Sequence, residues 1–335
     1  MNIEKVTVLG SGCWGTALGF ALASAGKQVV LWGREEAVVE EINSSSTNSF
    51  FLPGIQIPDG LRATTDLQAA VGKAELILFV LPSKATRSVV EALAELSLRE
   101  QVIFLSCSKG IESGTGMRMS QIVEEKFPGS AIAALSGPNH AEEVAGRLPS
   151  AAVVASGDEK VAAALQQAFS LPWFRIYTSD DIAGVEIGGA VKNVYAIAAG
   201  ICEGLGLGDN AKAALVTRGL AEMSRLGRAM GAKLETFQGL SGIGDLIVTC
   251  YSQHSRNGTV GRRLGKGETL EAILASMPTV AEGVPNTRSI REVAQQKKTE
   301  TPLIEEVYSI LYNGKNTKEA LTDLLSRRKK SELER

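Results

Sequence analysis

Apolar positions along the chain follow two regimes. From Ile3 to about Ser179, runs of five to nine residues rich in Val, Ile and Leu alternate with segments of helical spacing. The runs are VTVLG, QVVLW, AELILFVLP, EQVIFLSCS, AIAALSG and SAAVVAS; the segments between them include ATRSVVEALAELSLRE and MRMSQIVEEKF. Continuous apolar runs of this length predict strands buried on both faces, as in a parallel sheet. Strand and helix in alternation predict an α/β fold with crossover connections. After FRIYTSDD the pattern changes. GVEIGGAVKNVYAIAAGICEGLG, NAKAALVTRGLAEMSRLGRAMGA, SIREVAQQKK and PLIEEVYSILYNG all read as helices, with almost no strand-like alternation between them. The boundary is placed near Gly188, with a doubly wound α/β sheet domain over 1–188 and an all-helical C-terminal domain over 189–335. No repeat or low-complexity linker separates them, so they are expected to pack together around a cleft.

The length of 335 residues suits two domains, and 44% apolar with 21% charged residues is the composition of a globular protein. Basic residues number 35 against 37 acidic, a formal charge of −2, which provides no global field for nucleic acid or an anionic membrane. The closing RRKKSELER is mixed in sign and reads as a solvated helix end. No apolar run approaches the ~18 residues expected of a bilayer span, and MNIEKVTVLG lacks the pattern of a signal peptide. Cys13, Cys107, Cys202 and Cys250 are scattered without CxxC spacing, which argues against a disulfide framework and a zinc site. No metal and a cytoplasmic location are expected.

Within the first run and the helix after it, Gly10, Gly12 and Gly15 form a GxGxxG. Gly10 permits a tight turn, Gly12 lets the backbone approach a pyrophosphate, and Gly15 lets the helix pack on the strand. The phosphates then meet free N–H groups at a helix N-terminus. A glycine triplet can be a plain loop, but its place between VTVLG and TALGFALASAG makes it a Rossmann-type dinucleotide fingerprint. An NAD-selective site would end the second strand with an acid; here VVLWGRE places Gly33 there, followed by Arg34, Glu35 and Glu36. Arg34 can hold a 2′-phosphate or can be an exposed arginine at a helix start. The other strand ends, LPSK, SCSKG and SGPNHA, should face the nicotinamide side, and Lys109 is a cation set directly after an apolar strand.

The segments GSGCWGTALG, LSCSKGIE, LSGPNHAEEVA, GGAVKNVYAIAAG, GLSGIGDLIVTCYSQHSRN and TVAEGVPNT, in this order, resemble the bacterial NAD(P)-dependent glycerol-3-phosphate dehydrogenases. The resemblance runs from about residue 3 to residue 313. It implies reversible reduction of dihydroxyacetone phosphate to sn-glycerol 3-phosphate, a phospholipid precursor, with NADP(H) or NAD(H) as cofactor and a homodimer as the assembly. It implies Lys192 of GGAVKN as proton donor and acceptor. It maps substrate contacts onto Lys109, Gly137, Asn139, Lys192, Asp245, Ser255, Arg256 and Asn257. Cofactor contacts map onto Ser11, Trp14, Arg34, Lys109, Ala141, Arg256, Val280 and Glu282, beside the glycine loop. Asn139 stands where the family commonly has serine or threonine, and Cys13 where it has serine or alanine.

The chemistry fits these residues. Hydride addition to a ketone leaves charge on the oxygen, and a lysine of pKa lowered from ~10.4 towards about 7–8 can both give and take the proton. Burial among IGGAV and VYAIAAG, with Lys109 and Arg256 nearby, would lower it. The plainer reading is a lysine whose stem packs at a helix flank with its head in water. Ser255 reads as an N-cap with Arg256 and Asn257 in the first turn, an anion site of N–H groups and guanidinium, or a simple cap. Asp245 can receive a substrate hydroxyl, orient Lys192 or cap its own helix. His140 and His254 are the only histidines, and His254 has no evident aspartate partner. A β-hydroxyacid dehydrogenase of the related two-domain class would show asparagine four residues after the lysine; here Asn193 follows Lys192 at once and Ala196 holds that place. A nucleotide sensor without catalysis leaves Lys192, Asp245 and Arg256 without a joint purpose.

Overall fold

A computed structural model of the chain describes residues 2–277, 281–329 and 331–332. The N-terminal part alternates β1 (Lys5–Leu9), α1 (Cys13–Ser24), β2 (Gln28–Trp32), α2 (Glu36–Ser45), β3 (Leu61–Thr64), α3 (Leu67–Val71), β4 (Leu76–Phe79) and α4 (Ser83–Ala94). It continues through β5 (Ile103–Ser106), α5 (Met119–Lys126), β6 (Ala131–Ser136), α6 (Ala141–Ala145), β7 (Ser150–Ser156), α7 (Glu159–Phe169) and β8 (Phe174–Ser179). Eight strands lie in one sheet in the order β3-β2-β1-β4-β5-β6-β7-β8. Chain order reverses between β1 and β4, so a crevice opens beyond their carboxyl ends.

The six apolar runs are β1, β2, β4, β5, β6 and β7. The pattern does not single out β3 and β8, which form the two edges of the sheet. Arg62 in β3 and Arg175 in β8 are exposed there, which blunts the edges and breaks the apolar signature. One expectation is corrected. The sheet is parallel except between β6 and β7, which run antiparallel. A parallel return needs a crossover of about a dozen residues or more, usually a helix across the sheet. The link from β6 to β7 instead carries only α6, whose Ala141 and Ala145 pack with Ala17 and Phe20 of α1.

Helices cover both faces of the sheet. Val8, Leu18, Leu31 and Leu105 belong to the core on one side, and Leu9, Ile77, Phe79 and Phe104 to that on the other. The helical part comprises α8 (Ile182–Gly204), α9 (Gly208–Ala229), α10 (Asp245–Tyr251), α11 (Arg256–Gly265), α12 (Leu270–Ser276), α13 (Gly283–Gln296), α14 (Pro302–Asn313) and α15 (Thr317–Ser326). Gly188, where the sequence pattern places the domain boundary, lies inside α8. The architecture changes between Ser179 and Ile182, where Asp181 caps α8 by accepting from the Gly184 N–H at 2.9 Å.

The helical part is organised around α8. By length and hydropathy this helix could span a membrane, yet its apolar eighteen-residue stretch is wholly buried inside the protein, as the central helix of the core. Its small residues let other backbones come close. A Cβ on Gly188 would collide with the Ser241 carbonyl, and one on Gly200 with the Gly258 carbonyl of α11. From the other side, a Cβ on Gly261 would collide with the Ile197 carbonyl. α11 and the turn before α10 are therefore seated directly against the helix that carries Lys192.

Candidate active site

Lys192 sits in the middle of α8 and is buried, with 7% of its side chain exposed. Its ammonium donates to a carboxylate oxygen of Asp245 and, at 2.7 Å, to Thr249 Oγ1. Asp245 is completely buried at the start of α10. Its second oxygen accepts from Lys109 Nζ at 2.7 Å, and Lys109 also donates to the Gly137 carbonyl at 3.2 Å. Thr249 lies one turn beyond Asp245 and donates to the Asp245 backbone carbonyl at 2.6 Å. The sequence pattern did not mark Thr249, although its i,i+4 spacing from Asp245 is a readable signal. A Cβ on Gly189 would crowd Ser136 Oγ and the Lys109 stem, so the paired glycines before Lys192 bring the β5 and β6 ends up to α8.

The contacts of Asp245 run to the two lysines, the arrangement that the orienting reading requires. It bridges two lysines, and no side chain of its own caps α10. Burial pushes the Lys192 ammonium down to about 7, with Lys109 adding to the fall and the Asp245 carboxylate opposing it. A lysine so placed can hold or release its proton near neutral pH.

Ser255 caps α11, its Oγ accepting from the Gly258 N–H at 3.1 Å. Arg256 and Asn257 occupy the first turn, as the sequence pattern predicts. The Asn257 side chain is engaged within the protein: Nδ2 donates to Asn193 Oδ1 at 3.0 Å, and Oδ1 accepts from the Gly283 N–H at 2.9 Å. Arg256 is exposed, and its charge is felt at the Cys13 thiol on α1. Burial nevertheless pushes Cys13 up to about 12, with Glu142 adding to the rise, so it is a neutral thiol. Asn139 Nδ2 donates to the Ala151 carbonyl at 2.9 Å, while its Oδ1 is buried without a partner among the described residues. Gly137 has φ +149°, a conformation that L side chains rarely adopt. His140 and His254 lie ring to ring at 6.1 Å, and neither hydrogen-bonds a carboxylate among the described residues.

The glycine loop fits a dinucleotide. Gly10 has φ +124°, and a Cβ there would collide with the Val80 carbonyl at the end of β4. A Cβ on Gly15 would collide with the Gly10 carbonyl, whereas the space beside Gly12 is open. Trp14 Nε1 is buried and has no partner among the described residues, a donor open to a ligand acceptor. Asn48, which the sequence pattern did not mark, ties the loop down by donating to the Ser11 carbonyl at 2.9 Å and to Thr16 Oγ1 at 2.8 Å. A Cβ on Gly33 would strike Ser11 Oγ, so the end of β2 has no room for an acidic side chain. Arg34 is exposed beside it, and Ser11 Oγ donates to Glu35 at 3.3 Å. Ala141 is buried at the start of α6, and Glu282 accepts from Ser83 Oγ at 3.0 Å. Val280 lies outside the described residues.

The chain matches the N-terminal part of the NAD-dependent glycerol-3-phosphate dehydrogenase family over residues 5–162 and its C-terminal part over residues 181–322. It is 48% identical over 337 residues to the glycerol-3-phosphate dehydrogenase [NAD(P)+] of Bacillus mycoides, covering 99% of this chain and 98% of that one. The Enterococcus faecalis enzyme of the same description is 47% identical over 334 residues, with the same coverage. The crystal structure of glycerol-3-phosphate dehydrogenase from Coxiella burnetii superposes with a TM-score of 0.93 at 37% identity, covering 97% of this chain and 99% of that chain. Two family matches that together take in both halves, and relatives aligned nearly end to end, place this chain in the NAD-dependent glycerol-3-phosphate dehydrogenase family.

Proposed function

We propose that this chain catalyses the reversible reduction of dihydroxyacetone phosphate to sn-glycerol 3-phosphate, with Lys192 as proton donor and acceptor. The observation that carries the proposal is a buried lysine ammonium held by Asp245 and Thr249 and flanked by the Lys109 ammonium. When bound, the nicotinamide coenzyme supplies the hydride in one direction and takes it in the other. An ammonium has three N–H donors; two of those on Lys192 are used by the protein, and the third serves the substrate oxygen. During reduction Lys192 protonates that oxygen; during oxidation its neutral amine takes the hydroxyl proton. Asp245 and Thr249 keep Nζ in place throughout, so little reorganisation accompanies proton transfer.

The phosphate is held at the start of α11, by the backbone N–H groups of Arg256 and Asn257 and by the Arg256 guanidinium. Lys109, Lys192 and Arg256 outnumber the single Asp245 carboxylate, which favours a dianionic substrate. Gly10, Ser11, Gly12, Trp14 and Gly15 hold the pyrophosphate, and Arg34 the adenosine end. The product is a phospholipid precursor, and the free cysteines among the described residues suit the reducing cytoplasm. A homodimer, which the resemblance implies, belongs to the same proposal. The purified protein should consume NADPH or NADH when dihydroxyacetone phosphate is added, as loss of the reduced nicotinamide absorbance. No consumption with either coenzyme would end the proposal.

Coenzyme choice follows from the end of β2. With Gly33 and Arg34 where an acid would repel a 2′-phosphate, NADPH should be preferred by about 1–2 kcal/mol, roughly five- to thirty-fold, since the contact is exposed. Glu35 and Glu36 close by keep the preference modest, and NADH remains usable. Arg34→Ala should raise KM for NADPH several-fold and leave KM for NADH nearly unchanged. Equal changes for both would show that Arg34 contacts the adenosine without reading its phosphate.

A further inference from the structure

We infer that Asn286 is a positioning residue of this reaction: from the first turn of α13 it holds the backbone of Lys109 and thereby sets where the Lys109 ammonium meets Asp245 beside Lys192. Asn286 is completely buried. Its Nδ2 donates to the Lys109 carbonyl at 2.9 Å, and its Oδ1 lies 3.4 Å from Ser83 Oγ. Lys109 is three residues past the end of β5, beyond the strand pairing of the sheet, so a side chain from the helical part fixes its backbone instead. Gly110 makes that approach possible, because a Cβ there would collide with the Ser83 side chain and crowd Asn286 Oδ1. Asn286 thus joins the start of α4 and the loop after β5 to α13, at the lysine that shares Asp245 with Lys192.

The consequence is electrostatic. Among the described residues, the titratable groups that bear on Lys192 include Asp245 and Cys250 from α10, Lys109 from the loop after β5, and His140 from the start of α6. Burial pushes the Cys250 thiol up to about 12 and drives the His140 imidazole towards its neutral form. Asp245 and Lys109 are then the charges that decide the Lys192 proton. If the Lys109 backbone is released, its ammonium drifts from Asp245. Lys192 loses a repelling cation and keeps more of the carboxylate to itself. Both changes strengthen its hold on the proton, so oxidation of glycerol 3-phosphate, which needs the neutral amine, should begin at higher pH.

This inference rests on Lys192 being the proton acceptor. The experiment measures kcat for glycerol 3-phosphate oxidation against pH in the full-length wild type, Asn286→Leu, Asn286→Ser and Lys109→Met, with thermal unfolding of each. Leucine keeps the branched shape without the amide's hydrogen bonds, and serine is a second variant should leucine fail to fold. In a folded Asn286 variant the acid limb should move up by about one pH unit, in the direction of Lys109→Met, with kcat about tenfold lower at neutral pH. A folded Asn286 variant of lower kcat or melting temperature whose acid limb stays in place, while Lys109→Met moves it, would make Asn286 a structural tie and overturn the inference. If Lys109→Met also leaves the limb in place, Lys109 does not set the Lys192 proton and the role of Asn286 falls; an acid limb that persists in Lys192→Ala would instead bring down the assignment of Lys192 itself.

Discussion

Lys192→Ala is expected to lower kcat on the order of 10²–10⁴-fold while coenzyme affinity stays nearly intact, the range for loss of a general acid or base. In the proposed reaction the lysine contributes through its proton, while the glycine loop holds the coenzyme. Alanine leaves Asp245 with Lys109 as a partner, so the buried carboxylate is not stranded and the variant should fold. The pH dependence has a defined sign. With the lysine lowered to about 7, wild-type reduction weakens as pH rises through that region and oxidation strengthens. In Lys192→Ala both of these limbs should disappear. Near wild-type turnover, or an unchanged pH profile, would move the proton role elsewhere, first to Lys109.

Arg256→Ala should reduce kcat/KM for dihydroxyacetone phosphate by roughly 2–4 kcal/mol, because a charge-assisted contact is lost and the phosphate is left partly unpaired. Dihydroxyacetone, which carries no phosphate, should lose far less in the same variant. The comparison matters because Arg256 also faces α1, where its charge reaches Cys13, and the family resemblance assigns it a coenzyme contact as well. An equal loss for both substrates would mean that it acts through the coenzyme or the cleft wall. Ser255 should continue to cap α11 in the variant, so a drop in melting temperature should be small.

Much of this site is written in local pattern. The glycine loop shows in sequence because the turn at Gly10 and the close approach at Gly15 each exclude a side chain. The cap at Ser255 shows because a serine ahead of a helical segment satisfies an N–H of the first turn. The setting of Lys192 shows because the residues around it on α8 are almost all small or apolar. Asp245 is different. From sequence it could equally cap its helix or meet a substrate hydroxyl, because its partners are 53 and 136 residues away. Asn257 falls in the turn that the pattern predicts, yet its side chain is spent on Asn193 and the Gly283 N–H. Thr249 shows only as the residue one turn beyond Asp245, and Asn48 and Asn286 carry no sequence signal that singles them out.

What the chain determines by itself is therefore the central strands, the main helices and their polarity. Period and capping are properties of neighbours in sequence, and they mark the strand ends, the glycine loop, the start of α11 and the apolar length of α8. Only the tertiary structure decided that β7 runs against β6, that Asp245 bridges two lysines, and that a buried asparagine of α13 grips the loop carrying Lys109. The reason is physical. The proton affinity of a lysine depends on how much water it loses and which charges face it, and both are fixed by backbones brought together from distant parts of the chain. Here glycines at the helix crossings allow that approach, and the groups they bring together become visible only once the helices are packed.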